Sequence, residues 1–200
     1  MRWQTLRGLL VNDWQLWSFV ELCKPKVLLL MLSTAWVGMV LSPQTLPCTQ
    51  TSLGILCGIF CIAAFGAVLN QFFENELDAK MHRTSHRPLV KKSLSFEQVY
   101  LFVFVLFILG TGLLLSCANV LTWTLTISGA LGYACVYTLF LKHHTSQNIV
   151  IGGLYGATPP LLGWVALTNT LDPQALLLPL IIFIWTPPHF WALAIQKEQE

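Results

Sequence analysis

Residues 51–89 read TSLGILCGIFCIAAFGAVLNQFFENELDAKMHRTSHRPL. The first part, 52–73, is apolar and free of charge; from Glu74 onward charges crowd together. An α-helix needs about 20 apolar residues to cross a bilayer, so this run is long enough. A membrane β-strand would be about half that length and would alternate apolar and polar positions, which this run does not do. The stretch therefore predicts a membrane helix that delivers a polar cluster to one membrane surface.

Five further apolar stretches, near 26–42, 98–116, 119–141, 149–168 and 175–195, bring the expected spans to six. The composition agrees. Of 200 residues, 55% are apolar and 10% charged, against about 25% charged in an average soluble domain. The mean hydropathy is +0.65. Too few charges remain to cover a soluble fold of this size, which excludes disorder, a coiled coil and an ordinary cytosolic enzyme. A net charge of +2 is too small for a nucleic-acid binder. Lipid forces each backbone amide to bond within its own helix, so the expected fold is all-α, a polytopic transmembrane helical bundle.

The charges set the topology. Arg2, Arg7, Lys24 and Lys26 precede the first span; Lys80, Arg83, Arg87, Lys91 and Lys92 lie between the second and third. Lys142 lies between the fourth and fifth, and Lys197 follows the sixth. These are all 11 Lys and Arg, and all fall on one side. The opposite loops carry a single charge, Asp172. The positive-inside rule puts both termini and the basic loops in the cytoplasm or the matrix.

Residues 1–23 do not read as a signal peptide, because Asp13 and Glu21 break any apolar core and no small-residue cleavage site follows. Trp3, Leu6, Leu10, Trp14 and Trp17 recur at helical spacing, which predicts an interfacial amphipathic segment ahead of a membrane domain over 24–200. Cys57 and Cys61 share a face of the second span and read as packing residues. Cys48 and Cys117 fall near the outer surface, where a disulfide can form in an oxidising compartment. Gly54/Gly58 and Gly152/Gly156 are small-residue pairs that favour close helix packing.

The polar cluster carries the chemistry. Asn70, Glu74 and Asp78 follow at i, i+4 and i+8. On a helix they stack on one face, about 6 Å apart per step. Two carboxylates and an amide carbonyl are hard oxygen ligands of the kind Mg²⁺ takes, with water and substrate phosphates completing the shell. Glu76 faces elsewhere. Arg83, Arg87, Lys91 and Lys92 follow; arginine binds phosphate oxygens in a bidentate fork. A solvated basic loop is the plainer alternative, but such a loop needs neither the helical register nor an Asn at the lipid boundary, where polar groups are costly.

Two other segments are unusually polar. In LKHHTSQNIVIGG, residues 141–153, Lys142 can add a phosphate contact and Asn148 can orient a polar substrate. The alternative is a turn with a helix start at Thr145 or Ser146. In IWTPPHFWALAI, residues 184–195, Pro187 and Pro188 are expected to interrupt the sixth span, with His189 at the break beside Trp185, Phe190 and Trp191. His189 can ligate a haem iron, act as a base, or simply hydrogen-bond within the packing.

Residues 70–89 resemble the first aspartate-rich motif of the UbiA-type intramembrane prenyltransferases, in the form typical of the protohaem IX farnesyltransferase branch. LCKPKV (22–27), NIVIGGLYGATPPLLGWVA (148–166) and IIFIWTPPHFWALAI (181–195) also match that branch. The last two are more specific to it than the N-x₃-E-x₃-D spacing. The resemblance implies a bacterial inner-membrane transferase of haem biosynthesis, with its N-terminus in the cytoplasm; a mitochondrial setting is the lesser reading. The implied reaction moves the farnesyl group of farnesyl diphosphate onto the 2-vinyl group of haem B. Water adds, pyrophosphate leaves, and haem O results for haem–copper oxidases. Carried over by position, Asn70, Glu74 and Asp78 would hold Mg²⁺ and the diphosphate as the catalytic set. Arg83, Arg87 and Lys142 would bind its phosphates. His189, Asn148 and Trp185 would line the haem pocket.

The implied partners are farnesyl diphosphate, haem B, the lipid bilayer, and haem A synthase or the oxidase assembly machinery. Such enzymes have about nine helices and a second acidic motif after the sixth. Here six spans are present, Lys197 and Glu200 look like the start of that motif, and the expectation is a C-terminally truncated chain. Other readings are prenyl transfer to a quinone or chlorin precursor, and a non-catalytic membrane subunit or transporter.

Overall fold

The computed structural model describes residues 13–82, 84–145 and 147–198. These form an all-helical bundle: α1 (Asp13–Leu22), α2 (Pro25–Leu41), α3 (Thr49–Lys80), α4 (Phe96–Cys117), α5, α6 and α7 (Pro173–Glu198). Helix α5 runs Val120–Leu131 and continues as a π-helical stretch, Gly132–Leu141, and one turn, Lys142–His144. Helix α6 has two halves, Asn148–Ala157 and Pro159–Thr168. Among the described residues, α3 to α7 are each long and apolar enough to cross a membrane. Helix α2, at 17 residues, reaches that length only together with α1, from which it is bent by 49°. Most of the residues expected to form the amphipathic stripe (Trp3, Leu6, Leu10) lie outside the described residues, as does Arg83.

Local chemistry explains the ends. Pro25 opens α2, where its missing N–H costs nothing. Ser95 and Gln98 form a reciprocal capping box at the start of α4. The Asn119 side chain accepts from the Thr122 N–H at 2.8 Å to cap α5, and its amide donates to Val165 O at 2.9 Å, tying that end to α6. Asn169, at φ 55°, closes α6 in the left-handed region.

Helix α3 is the hub. It packs along α4, α5 and α2, while α2 also lies against the second half of α6 and α7 packs on α6. In lipid there is no hydrophobic drive between helices, so close van der Waals fit holds them. At the α2–α6 seam a Cβ on Gly38 would sit 1.9 Å from Pro160 O, and one on Gly163 would sit 1.9 Å from Ala35 O. Only glycine permits that approach. Gly54 and Gly58 are similarly tight against Cys117 and Leu114, and Gly152 against Tyr137, but Gly156 has nothing within 4 Å. The second glycine pair thus seats one contact rather than two. The bundle exterior is aliphatic and aromatic (Leu30, Phe104, Ile108, Ile181 and Ile184 are exposed), as a lipid-facing surface requires.

Two expectations are corrected. Pro187 and Pro188 do not interrupt the last span: α7 runs unbroken through them and through Pro179. Proline removes a helix hydrogen bond, yet membrane helices tolerate it where nearby groups satisfy the backbone. Thr186 Oγ1 donates to Ile182 O at 2.7 Å in the same turn, which ties the hydroxyl into the helix just before the Phe183 and Ile184 carbonyls that the two prolines leave without a donor four residues on. The first half of α6 begins at Asn148, with Gln147 before it, rather than at Thr145 or Ser146; Thr145 Oγ1 instead accepts from the Gln147 N–H at 3.1 Å within the turn. Cys48 and Cys117 are both free thiols.

Candidate functional site

Asn70, Glu74 and Asp78 lie on one face of α3, exposed by only 2%, 5% and 4%. Glu76, off that face, is exposed. Each of the three buried residues meets a cation from another part of the chain. Lys24 Nζ donates to Asn70 Oδ1 at 2.6 Å. Lys142 Nζ donates to Glu74 Oε1 at 2.6 Å. The Arg87 guanidinium pairs with Asp78 Oδ2 and lies 3.8 Å from Glu74 Oε2. Among the described residues, two carboxylates are thus matched by three cations.

The local fold delivers these groups. Arg87 is held by the turn after α3, where Thr84 Oγ1 donates to Asp78 O at 3.0 Å. Lys142 follows directly on the π-helical stretch of α5. Lys24 sits in the break before α2 at φ 54°, ψ 61°, a left-handed conformation costing of order 1–3 kcal/mol for a residue that is not glycine. Gln71 Nε2 donates to Leu22 O at 2.8 Å and anchors that break against α3.

A second layer surrounds Asn70. Tyr133 OH donates to Asn70 Oδ1 at 3.2 Å and accepts from Lys24 Nζ at 3.2 Å. Asn70 Nδ2 donates to Thr138 Oγ1 at 2.9 Å. Tyr133 and Tyr137 stack, with ring centroids 5.6 Å apart. Lys24, Tyr133 and Thr138 escape a reading of sequence spacing. In the sequence Lys24 stands among the basic residues before a span and within the LCKPKV stretch, neither of which names Asn70 as its partner. The polar groups of Tyr133 and Thr138 inside an apolar span were the available signal, since such groups are costly at membrane depth unless they have a partner.

The donor set suits Mg²⁺. Among the described residues no group of three His, Cys, Asp or Glu gathers, and the cluster there presents two anionic ligands, Glu74 and Asp78, beside the Asn70 amide oxygen. That matches an ion that draws one or two carboxylates from protein and the rest of its shell from phosphates and water. Arg87 and Lys142 join the cluster. Asn148 stands at the start of α6, partly buried. Trp185 and His189 lie on α7, stacked at 4.2 Å, with Trp185 59% exposed. Their helix packs mainly on α6, apart from the Asn70 cluster.

The helical bundle and this cluster define a class, and the comparison with known families agrees. The model of the UbiA prenyltransferase family matches residues 31–200, and the chain belongs to that family. Its relatives are narrower in kind. The protoheme IX farnesyltransferase of Hahella chejuensis is 50% identical over 184 residues, covering 92% of this chain and 61% of that protein. Protoheme IX farnesyltransferase 2 of Pseudoalteromonas atlantica is 49% identical over 183 residues, covering 92% and 60%. The protoheme IX farnesyltransferase of Legionella pneumophila is 50% identical over 188 residues, covering 94% and 63%. The chain therefore spans less than two thirds of the length of these relatives. No solved structure matches it.

Proposed function

We propose that this chain forms the diphosphate-handling part of a haem-directed farnesyltransferase. The observation that carries the reading is the buried Asn70–Glu74–Asp78 face ringed by Lys24, Arg87 and Lys142. Three cations against two carboxylates leave net positive charge, which suits an arriving diphosphate. The names of the relatives supply the acceptor, haem B, and the prenyl group, farnesyl.

In the reaction, the bond from farnesyl C1 to the diphosphate oxygen breaks and its electron pair leaves with pyrophosphate. The terminal carbon of the 2-vinyl group bonds to farnesyl C1. Water adds its oxygen to the other vinyl carbon and releases a proton, giving the hydroxyethylfarnesyl group of haem O. Arg87 and Lys142 bind the phosphate oxygens and hold the developing negative charge of the leaving group. Asn70, Glu74 and Asp78 would hold Mg²⁺, which when bound supplies further neutralisation of that charge. Arg83 is assigned to the same phosphates from its sequence position, and His189, Trp185 and Asn148 to the porphyrin side. The same reading puts the chain in a bacterial inner membrane, with the basic loops and N-terminus in the cytoplasm. The charge asymmetry of the loops supports it. Haem O would pass to haem–copper oxidase assembly.

The test uses the chain in lipid nanodiscs with radiolabelled farnesyl diphosphate and a Mg²⁺ titration. Mg²⁺-dependent binding is expected, falling about 100-fold in Glu74→Gln or Asp78→Asn, as for loss of a charged group at a phosphate–metal site. Haem B added to the same discs should give haem O by chromatography when the catalytic cavity is complete. Binding that ignores both Mg²⁺ and the two substitutions would overturn the proposal.

A further inference from the structure

The amide of Asn70 is a two-sided group, and which side faces the charged cluster matters. A carbonyl oxygen there can accept from a cation or ligate a metal; an NH₂ can do neither. The surroundings decide between them. Thr138 Oγ1 has one hydrogen, and it goes to the Tyr133 carbonyl, 2.9 Å away and five residues earlier. Its lone pairs therefore face Asn70 Nδ2 at 2.9 Å, and Thr138 acts there as an acceptor. On the opposite side Lys24 Nζ, which can only donate, stands 2.6 Å from Asn70 Oδ1. The flipped amide would set its NH₂ against an ammonium.

The contact to Tyr133 spans five residues because this part of α5 is π-helical, Gly132–Leu141. Such local rewinding of a helix is often found at functional sites. Thr138 and Asn70 are 1% and 2% exposed, so no water competes for either bond.

We propose that Thr138 is a positioning residue, whose hydroxyl, oriented by the π-helical turn, fixes the Asn70 amide with its carbonyl oxygen toward the metal and diphosphate. The inference rests on the function proposed above for Asn70. Thr138 touches neither substrate nor metal and acts only through Asn70, as supporting residues around metal ligands do.

The experiment compares Thr138→Val with Thr138→Ser in nanodiscs, reading the Mg²⁺ concentration for half-maximal binding of farnesyl diphosphate. Valine keeps the shape and loses the acceptor; serine keeps it. Thr138→Val is expected to raise the half-maximal Mg²⁺ about tenfold, the lower end for loss of a supporting partner. The amount bound at saturating Mg²⁺ should be unchanged, and Thr138→Ser should stay within about threefold of the starting protein. A packing role would instead lower the amount bound and leave the Mg²⁺ requirement alone. In an Asn70→Ala background, Thr138→Val should add nothing. An equal Mg²⁺ requirement in Thr138→Val and the starting protein overturns the inference while leaving the proposed function intact, as does a full tenfold effect that persists without Asn70. Loss of Mg²⁺-dependent binding in the unsubstituted chain removes both.

Discussion

The C-terminal third of α3 and the C-terminal half of α7 both carry polar motif residues in membrane helices, but they are built differently. On α3, Asn70, Glu74 and Asp78 are buried, and each is met by a side chain from another element: Lys24 ahead of α2, Lys142 after the π-helical stretch of α5, and Arg87 in the turn before α4. On α7, the contact of His189 is with Trp185, four residues earlier on the same helix, and with Phe190 beside it. Trp185 and Phe190 are exposed. The first region is a tertiary structure that locks its groups in place. The second is a helix face whose geometry comes from one helix alone. Under the proposed function, the contrast would place the rigid part of the chemistry, diphosphate capture, in contacts among residues 24–142, and the porphyrin side on a surface that a single helix can present.

The strongest way to break that contrast is Arg87→Ala. Among the described residues it leaves Asp78 buried with no cation and strips Glu74 of one of two. Removing one partner of a buried ion pair costs about 3–5 kcal/mol; since the Arg87 side chain is 20% exposed, some solvent screening lowers this to about 2–4 kcal/mol. Unfolding in mixed dodecylsulfate micelles should show the loss, with Arg87→Lys recovering part of it. A cost no larger than that of a substitution on the α7 face would mean the α3 cluster is not the locked region it is taken to be. Next in size is Gly163→Val at the α2–α6 seam, where a Cβ would lie 1.9 Å from Ala35 O. The backbones must separate, at about 1–3 kcal/mol for overpacking. Because Lys24 directly precedes α2, farnesyl diphosphate binding should weaken with stability. Unchanged binding would show that Lys24 is placed by α1 and Gln71 alone.

Much of the α3 region could be read from the sequence. The N-x₃-E-x₃-D spacing fixes a face of a helix whatever packs upon it, and the apolar run before it fixes the membrane boundary. What spacing cannot give is the partner of each group. Lys24 and Asn70 are 46 residues apart and Asn70 and Thr138 are 68 apart, and only the packing of α3 against α5 and the α1–α2 break brings them together. The π-helical turn is equally hidden, since Gly132–Leu141 has the apolar composition of any span. The proline pair of α7 misleads in the opposite direction. Its local rule, a lost hydrogen bond and a steric clash, predicts a break, yet the helix carries through because lipid offers the freed backbone nothing better than its own helix.

The smallest predicted effect is the most discriminating. His189→Ala removes the half-buried ring of a stack whose other ring, Trp185, is exposed, and such pairs are worth about 0.5–1.5 kcal/mol beyond area burial; with one ring open to the surroundings the lower end applies. Farnesyl diphosphate binding and its Mg²⁺ requirement should stay within about twofold, because no contact joins His189 to Glu74, Asp78 or their cations. An absorbance titration with haem B is where the substitution must register, as weaker binding or an altered Soret band, if the α7 face meets the porphyrin. A fall in diphosphate binding as large as that expected for Glu74→Gln would mean that the two regions are coupled through α6, and the division between a locked site and a presented face would have to be abandoned.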